Sequence, residues 1–129
     1  MLHLPLAKEC LISMKHSVGK QLTAGVANTI FVVPQGYKAE VDLLFISNLD
    51  ANNKTTTAYW QHAHDINHKI KIIDLYPMAS HSFLQFSNGS IVMQQGDSFV
   101  IQPQDGATQS CIITFDLYKE AQTVAFDGE

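Results

Sequence analysis

The chain contains no arginine, and charged residues make up only 16% of its 129 residues. All eight basic residues are lysines, scattered from Lys8 to Lys119 without a run. Bidentate recognition of phosphate and guanine is guanidinium chemistry, and binding by charge alone needs a basic stripe, so at net charge −4 nucleic acid is not an expected partner. No stretch approaches the ~20 apolar residues of a membrane span. Met1-Leu-His-Leu-Pro-Leu6 lacks the basic start and long apolar centre of a signal peptide, which points to synthesis in a cytoplasm. Cysteine is scarce as well: Cys10 and Cys111 fall in the first and last strand patterns, where a bond between them is open but two buried free thiols suit a reducing compartment better. There is no Gly-x-Ser-x-Gly elbow, phosphate loop, dinucleotide fingerprint, His-Glu-x-x-His or Cys-x-x-Cys, so the expectation is a protein that is not an enzyme and carries no cofactor.

Hydrophobic residues form 46% of the chain, ample for one domain that buries roughly two-thirds of its unfolded surface. With so few charges, much of the surface must be neutral polar groups or be covered by partners. The pattern is that of strands. Two β-branched and aromatic runs flank Pro34-Gln35-Gly36, read as a reverse turn with Pro34 second and Gly36 fourth, and the longer strand runs from Lys38 to Asn48. In it Ala39, Val41, Leu43 and Phe45 read as one apolar face, and Glu40 and Asp42 on the other face give way to Leu44 and Ile46. Earlier, Cys10, Ile12, Met14, His16 and Val18 alternate with Leu11, Ser13, Lys15 and Ser17 as a half-buried strand ending at Gly19-Lys20.

Thr55 to His62 reads as a strand, Lys69 to Leu75 as another stopped by Pro77, and Asn88-Gly89 as a type I′ hairpin between Ser82–Phe86 and Ile91–Met93. Ser98 to Gln102 and Ser110 to Tyr118 complete the set, with Cys111, Ile113, Phe115 and Leu117 on one face. Eight to nine short strands with frequent turns predict an all-β, two-sheet antiparallel sandwich, jelly-roll-like, over residues 10–118. Residues 1–9 and 119–129 read as arms, the second with Val124 and Phe126 as docking side chains or as a frayed end.

Three groups of residues invite a chemical reading. His62 and His64 would share a strand face, with His68 or Asp65 closing a metal site, but the cupin pattern fails because Thr56 stands at its glycine and His68 at its glutamate. Asp50, Asn52 and Asn53 could offer oxygens to calcium, but the EF-hand spacing is missing, and Glu40 with Asp42 reads as a solvated strand edge. Hence no catalytic, cofactor or metal site is assigned. Tyr59 and Trp60 point to opposite faces, Trp60 toward the core and Tyr59 toward an interface. The sequons at Asn53 and Asn88 are chance matches.

Val33-Pro-Gln-Gly-Tyr37, Leu44-Phe-Ile-Ser-Asn48, Pro77 to Leu84 and Val92-Met-Gln-Gln-Gly-Asp-Ser-Phe99 together resemble small virion structural proteins of tailed bacteriophages, over about Thr23 to Tyr118. The resemblance implies a non-enzymatic building block of the virion, first of all a capsid decoration or cement protein that stabilises the head lattice. Its partners would be itself, as a trimer or other closed oligomer, and the major capsid or other virion proteins. The alternatives are a head–tail or tail component, or a carbohydrate-binding module using Tyr59, Trp60 or His64 with Asp65 and Asn67.

Overall fold

The computed structural model describes residues 14–63 and 68–119, and at 88–90 the backbone alone. Every regular element among them is a strand: β1 (Met14–Leu22), β2 (Asn28–Val32), β3 (Tyr37–Asn48), β4 (Lys54–Gln61), β5 (Lys69–Met78), β6 (Ser82–Met93), β7 (Ser98–Pro103) and β8 (Gln109–Lys119). Pairing is nested. β1 pairs with β8, β2 with β7, β3 with β6 and β4 with β5, all antiparallel, as in one long hairpin folded between β4 and β5. Rolling that hairpin adds the β3–β8 and β4–β7 ladders and closes two four-stranded sheets, β1-β8-β3-β6 and β2-β7-β4-β5. This is the jelly-roll arrangement of an all-β sandwich.

The core lies between the sheets and is built by alternate residues: Ile30 from β2, Val41, Leu44 and Ile46 from β3, Phe99 and Ile101 from β7, and Ile113 and Phe115 from β8. The predicted face of β8 is correct, with Cys111 and Ile113 buried and Leu117 packed against the cluster.

Several local expectations change. The turn after β2 sits one residue later than read: the Tyr37 amide donates to the Pro34 carbonyl at 3.2 Å, so Gly36 occupies the third position with φ 83°, which glycine alone adopts without strain. β1 does not end at Gly19-Lys20 but runs in unbroken register to Leu22, and it is mostly exposed. β5 continues through Pro77 to Met78, because it is an edge strand and can lack a donor on its open side. Asn88-Gly89 does not turn a hairpin, since Ser82–Ser87 and Ile91–Met93 both pair with β3 and cannot pair with each other; residues 88–90 bulge out of one long β6.

The apolar face read on β3 is split. Between Val41 and Leu43 the register shifts against both neighbours: against β8 one extra residue, Asp42, is inserted into β3, whereas against β6 the single Asp42 stands opposite three residues, 88–90. Ala39 and Val41 face the core before the bulge, Leu44 and Ile46 after it, and Leu43 and Phe45 are turned to the outside. Glu40 and Asp42 lie on an interior strand and not on a sheet edge. Cys10, the first strand residues up to Ser13 and the arm residues 1–9 and 120–129 lie outside the described residues, while Lys119 ends β8.

Candidate functional site: an apolar outer face and a polar cleft

Residues paired across an antiparallel ladder share a face. Leu43 lies opposite Thr114, Phe45 opposite Ile112 and Gln85, and Ser47 opposite Phe83 and Ser110. The bulge at Asp42 thus gathers Leu43, Phe45, Phe83 and Ile112 on the outer face of the β1-β8-β3-β6 sheet. Phe45 and Phe83 stack at 5.1 Å, and Phe83 and Ile112 remain 63% and 45% exposed. On the other side of the bulge the same face is charged: Lys15 contacts Asp42 at 2.7 Å and Asp116 at 3.3 Å, and the Tyr118 hydroxyl donates to Glu40 at 3.0 Å. The Asp42 hydrogen bond raises the pKa of Lys15 above its ordinary value. One face therefore carries an ionic half and an aromatic half, divided by a bulge. The signal in the sequence is Leu43-Leu-Phe-Ile46, four apolar residues in succession in an otherwise alternating strand.

On the opposite sheet a cleft of about 540 Å³ opens over β4, its lining including Thr57, Tyr59, Gln102 and Gln104 together with the charged residues Lys69, Lys71, Asp74 and Asp105. Two register shifts between β4 and β5 lift the edge strand here, and Leu75 is held at φ 48° with its amide donating to the Thr57 hydroxyl oxygen at 2.9 Å. Tyr59 forms part of this cleft but is only 7% exposed, with the Lys69 ammonium 5.2 Å from its ring centre. It is therefore no open stacking platform. Trp60 packs on the core from the inner face, as expected, and its indole N–H donates to Asp97.

The remaining predicted groups are accounted for in part. The His62 and His68 rings lie 4.7 Å apart, and the His62 amide donates to the His68 carbonyl, while His64, Asp65 and Asn67 lie outside the described residues. Among the described residues no three His, Cys, Asp or Glu side chains gather as a metal site. In the 50–53 loop the side-chain oxygens serve backbone amides: Asp50 accepts from the Asn52 amide at 3.0 Å, which holds its carboxyl below the usual carboxylate range, and Asn53 accepts from the Ser80 amide in the turn after β5. The β1–β8 register sets Lys20 opposite Cys111, whose thiol is free, 2% exposed and pushed up to about 11 by burial. No helix among the described residues is long and apolar enough to cross a membrane.

Comparison of the sequence matches no protein family and no curated protein. Comparison of the fold does better. A protein of Bacillus endospore appendages, described as a novel family of disulfide-linked pili, superposes with a TM-score of 0.51 over 85% of this chain and 88% of that one, at 13% identity. The chain shares its fold with a pilus protein. Lower scores link it to a capsid protein of cyanophage Pam1, at a TM-score of 0.35, 17% identity and 84% and 83% of the two chains, and to infectious bursal disease virus, at 0.43, 10% identity and 85% and 36%. At such identities the pilus likeness speaks to the fold alone.

Proposed function

We propose that the chain is a structural subunit, without catalytic activity, that assembles with copies of itself and with other proteins of a larger particle. The observation that carries this reading is the aromatic half of the outer face, where a bulge turns Leu43 and Phe45 out of the core beside the exposed Phe83 and Ile112. A contiguous apolar patch bordered by charged groups is the anatomy of a protein–protein interface. Leu43 and Phe45 stay half-buried on this outer face, whereas Val41, Leu44 and Ile46 of the same strand are buried in the core. The finer reading is a decoration or cement protein on a tailed-phage head, a trimer or other closed oligomer whose apolar faces contact the capsid lattice; a neck or tail position would use the same face.

A second reading is favoured by the placement of the two cysteines, Cys10 ahead of β1 and Cys111 in β8. Two linkable thiols are the minimum by which each copy can be tied to two neighbours, as in an open head-to-tail polymer. The pilus protein of similar fold is described as disulfide-linked. A bond from Cys10 of one copy to Cys111 of the next requires access to the inner face of β8 beside β1, where Cys111 is buried.

The test is mass photometry and electron microscopy of purified protein, with and without reductant, followed by addition to phage capsids lacking a decoration protein. Oligomers that dissociate in Phe83→Ser support the subunit reading, and capsid binding selects its finer form. A ladder on non-reducing gels, lost in Cys111→Ser, selects the polymer. A monodisperse monomer that forms no ladder and ignores capsids would sink both.

A further inference from the structure

The polar cleft on the β2-β7-β4-β5 sheet has no part in the proposed assembly, which uses the opposite sheet. Its lining is chemically selective. The Gln104 carbonyl oxygen is taken by the Thr55 amide at 2.9 Å and the Thr55 hydroxyl at 3.4 Å, which leaves the amide nitrogen of Gln104 as a donor. Thr57 accepts from the Leu75 amide, which leaves its hydroxyl proton to donate. Gln102 turns its amide nitrogen toward the Gly25 carbonyl at 3.5 Å, leaving its carbonyl oxygen to accept. Neutral donors and acceptors interleaved on one wall match vicinal hydroxyls, each of which both donates and accepts.

The charge is equally restrictive. Lys71 is tied to Asp74 at 3.2 Å, whereas Lys69 is held over Tyr59. Among the described residues Lys69 thus presents its ammonium at the cleft without a carboxylate partner, while the other lining carboxylate, Asp105, lies on the Gly25 side. A phosphate would want more than one unpaired cation, whereas the carbon atoms of Leu75, Pro103 and the lysine, threonine and glutamine side chains offer apolar surface to the hydrocarbon face of a sugar ring. The backbone supports a built site: two irregularities in β5 and a leucine in the left-handed region are strain of the kind that accompanies binding surfaces.

We propose that this cleft binds a saccharide bearing a single carboxylate, such as a uronic or sialic acid residue, with Lys69 on the carboxylate and Thr57, Gln102 and Gln104 on hydroxyls. Tyr59 acts as a positioning residue that fixes the Lys69 ammonium. The site differs from one built on Tyr59, Trp60 and His64, because Trp60 faces the core and Tyr59 is covered.

The experiment is a glycan array of acidic oligosaccharides beside their neutral counterparts, followed by calorimetric titration of the wild-type full chain with sialyllactose, trigalacturonate and lactose. Saturable binding of an acidic sugar is expected, weakened about tenfold or more in Lys69→Gln and in Gln102→Ala, with melting temperatures unchanged because both side chains are exposed. Absence of saturable binding at millimolar sugar, equal binding of lactose, or acidic binding untouched by both variants would overturn the proposal. Assembly is read separately through Phe83→Ser, so failure of either idea leaves the other standing.

Discussion

Asp97 shows how one side chain can hold a corner of the sandwich. It is 3% exposed and has no cation beside it among the described residues; instead it accepts from the Trp60 indole N–H and the Gln94 amide through one oxygen, and from the Ala63 amide through the other, at 2.9 to 3.0 Å. The end of β4 is thereby fastened to the turn before β7. Gly96 beside it has φ 84°, and a Cβ there would stand 2.8 Å from that of Ala63, so the Gly-Asp pair is required twice over. Asp97→Ala would leave three N–H donors unpaired, and a loss of about 3 kcal/mol in urea unfolding is expected, with Asp97→Asn intermediate. An unchanged midpoint would contradict this account. Asn48, fully buried, works likewise: its amide donates to the Ala79, Asn52 and Met78 carbonyls and its oxygen accepts from Gln109, which in turn accepts from Thr56. These residues explain why "Ser-Asn" and "Gly-Asp" mark strand ends.

Cys111 leads to a second expectation at this scale. Burial raises its pKa to about 11, so in the reduced, folded chain at neutral pH the thiol stays protonated and shielded. Iodoacetamide at pH 8 should modify it slowly in the native protein and quickly in denaturant, where its pKa returns to the ordinary range. Equal rates in both states, read by mass spectrometry, would show that β8 does not bury it.

Among the elements, β3 carries most of the argument. Its side chains could be assigned to faces by alternation only up to Val41, because a bulge reverses the parity of everything after it. Deleting Asp42 would force Leu43 and Phe45 inward and turn Leu44 and Ile46 out. Each of those buried residues contributes roughly 1.5–3 kcal/mol, so the deletion removes an amount comparable to the whole stability of a small domain. Asp42→Ala keeps the bulge and loses only an exposed contact with Lys15. Thermal melts should therefore show the deletion unfolded or severely weakened and the alanine variant close to wild type. If both melt alike, the bulge does not set the register. The four outer strands differ too: β2 and β5 carry bulges, β6 is interrupted at 88–90, but β1 is regular over nine paired residues, with Lys20 as the charge on its inner side. Met14, also on that inner side, is 54% exposed.

For the molecule as a whole, the two outer faces divide the labour proposed here, one for association and one for a small polar ligand. Association through Phe45, Phe83 and Ile112 is driven by apolar burial, which salt does not screen. Oligomers observed by mass photometry should persist when sodium chloride is raised to molar concentration, while Phe83→Ser dissociates them at any salt. Dissociation by salt alone would assign the contact to the ionic half around Lys15, Asp42 and Asp116.

Strand content, most strand limits and the core face of β8 were legible in the chain because period-two alternation and turn chemistry are local. Pairing partners were not, since nothing local tells Ile91–Met93 to lie on β3 instead of folding back on Ser82–Phe86 across Asn88-Gly89. Nor was the fate of Leu43 and Phe45, which depends on a register in which Asp42 is surplus against β8 while β6 sets three residues opposite it. The exposed aromatic patch and the cleft over Tyr59 exist only once distant strands are adjacent: each is assembled from residues whose separation in the chain hides their common face. Sequence alone therefore determined the kind of element at almost every position, by steric preference and alternation; the tertiary structure decided which faces meet water, because long-range register settles that.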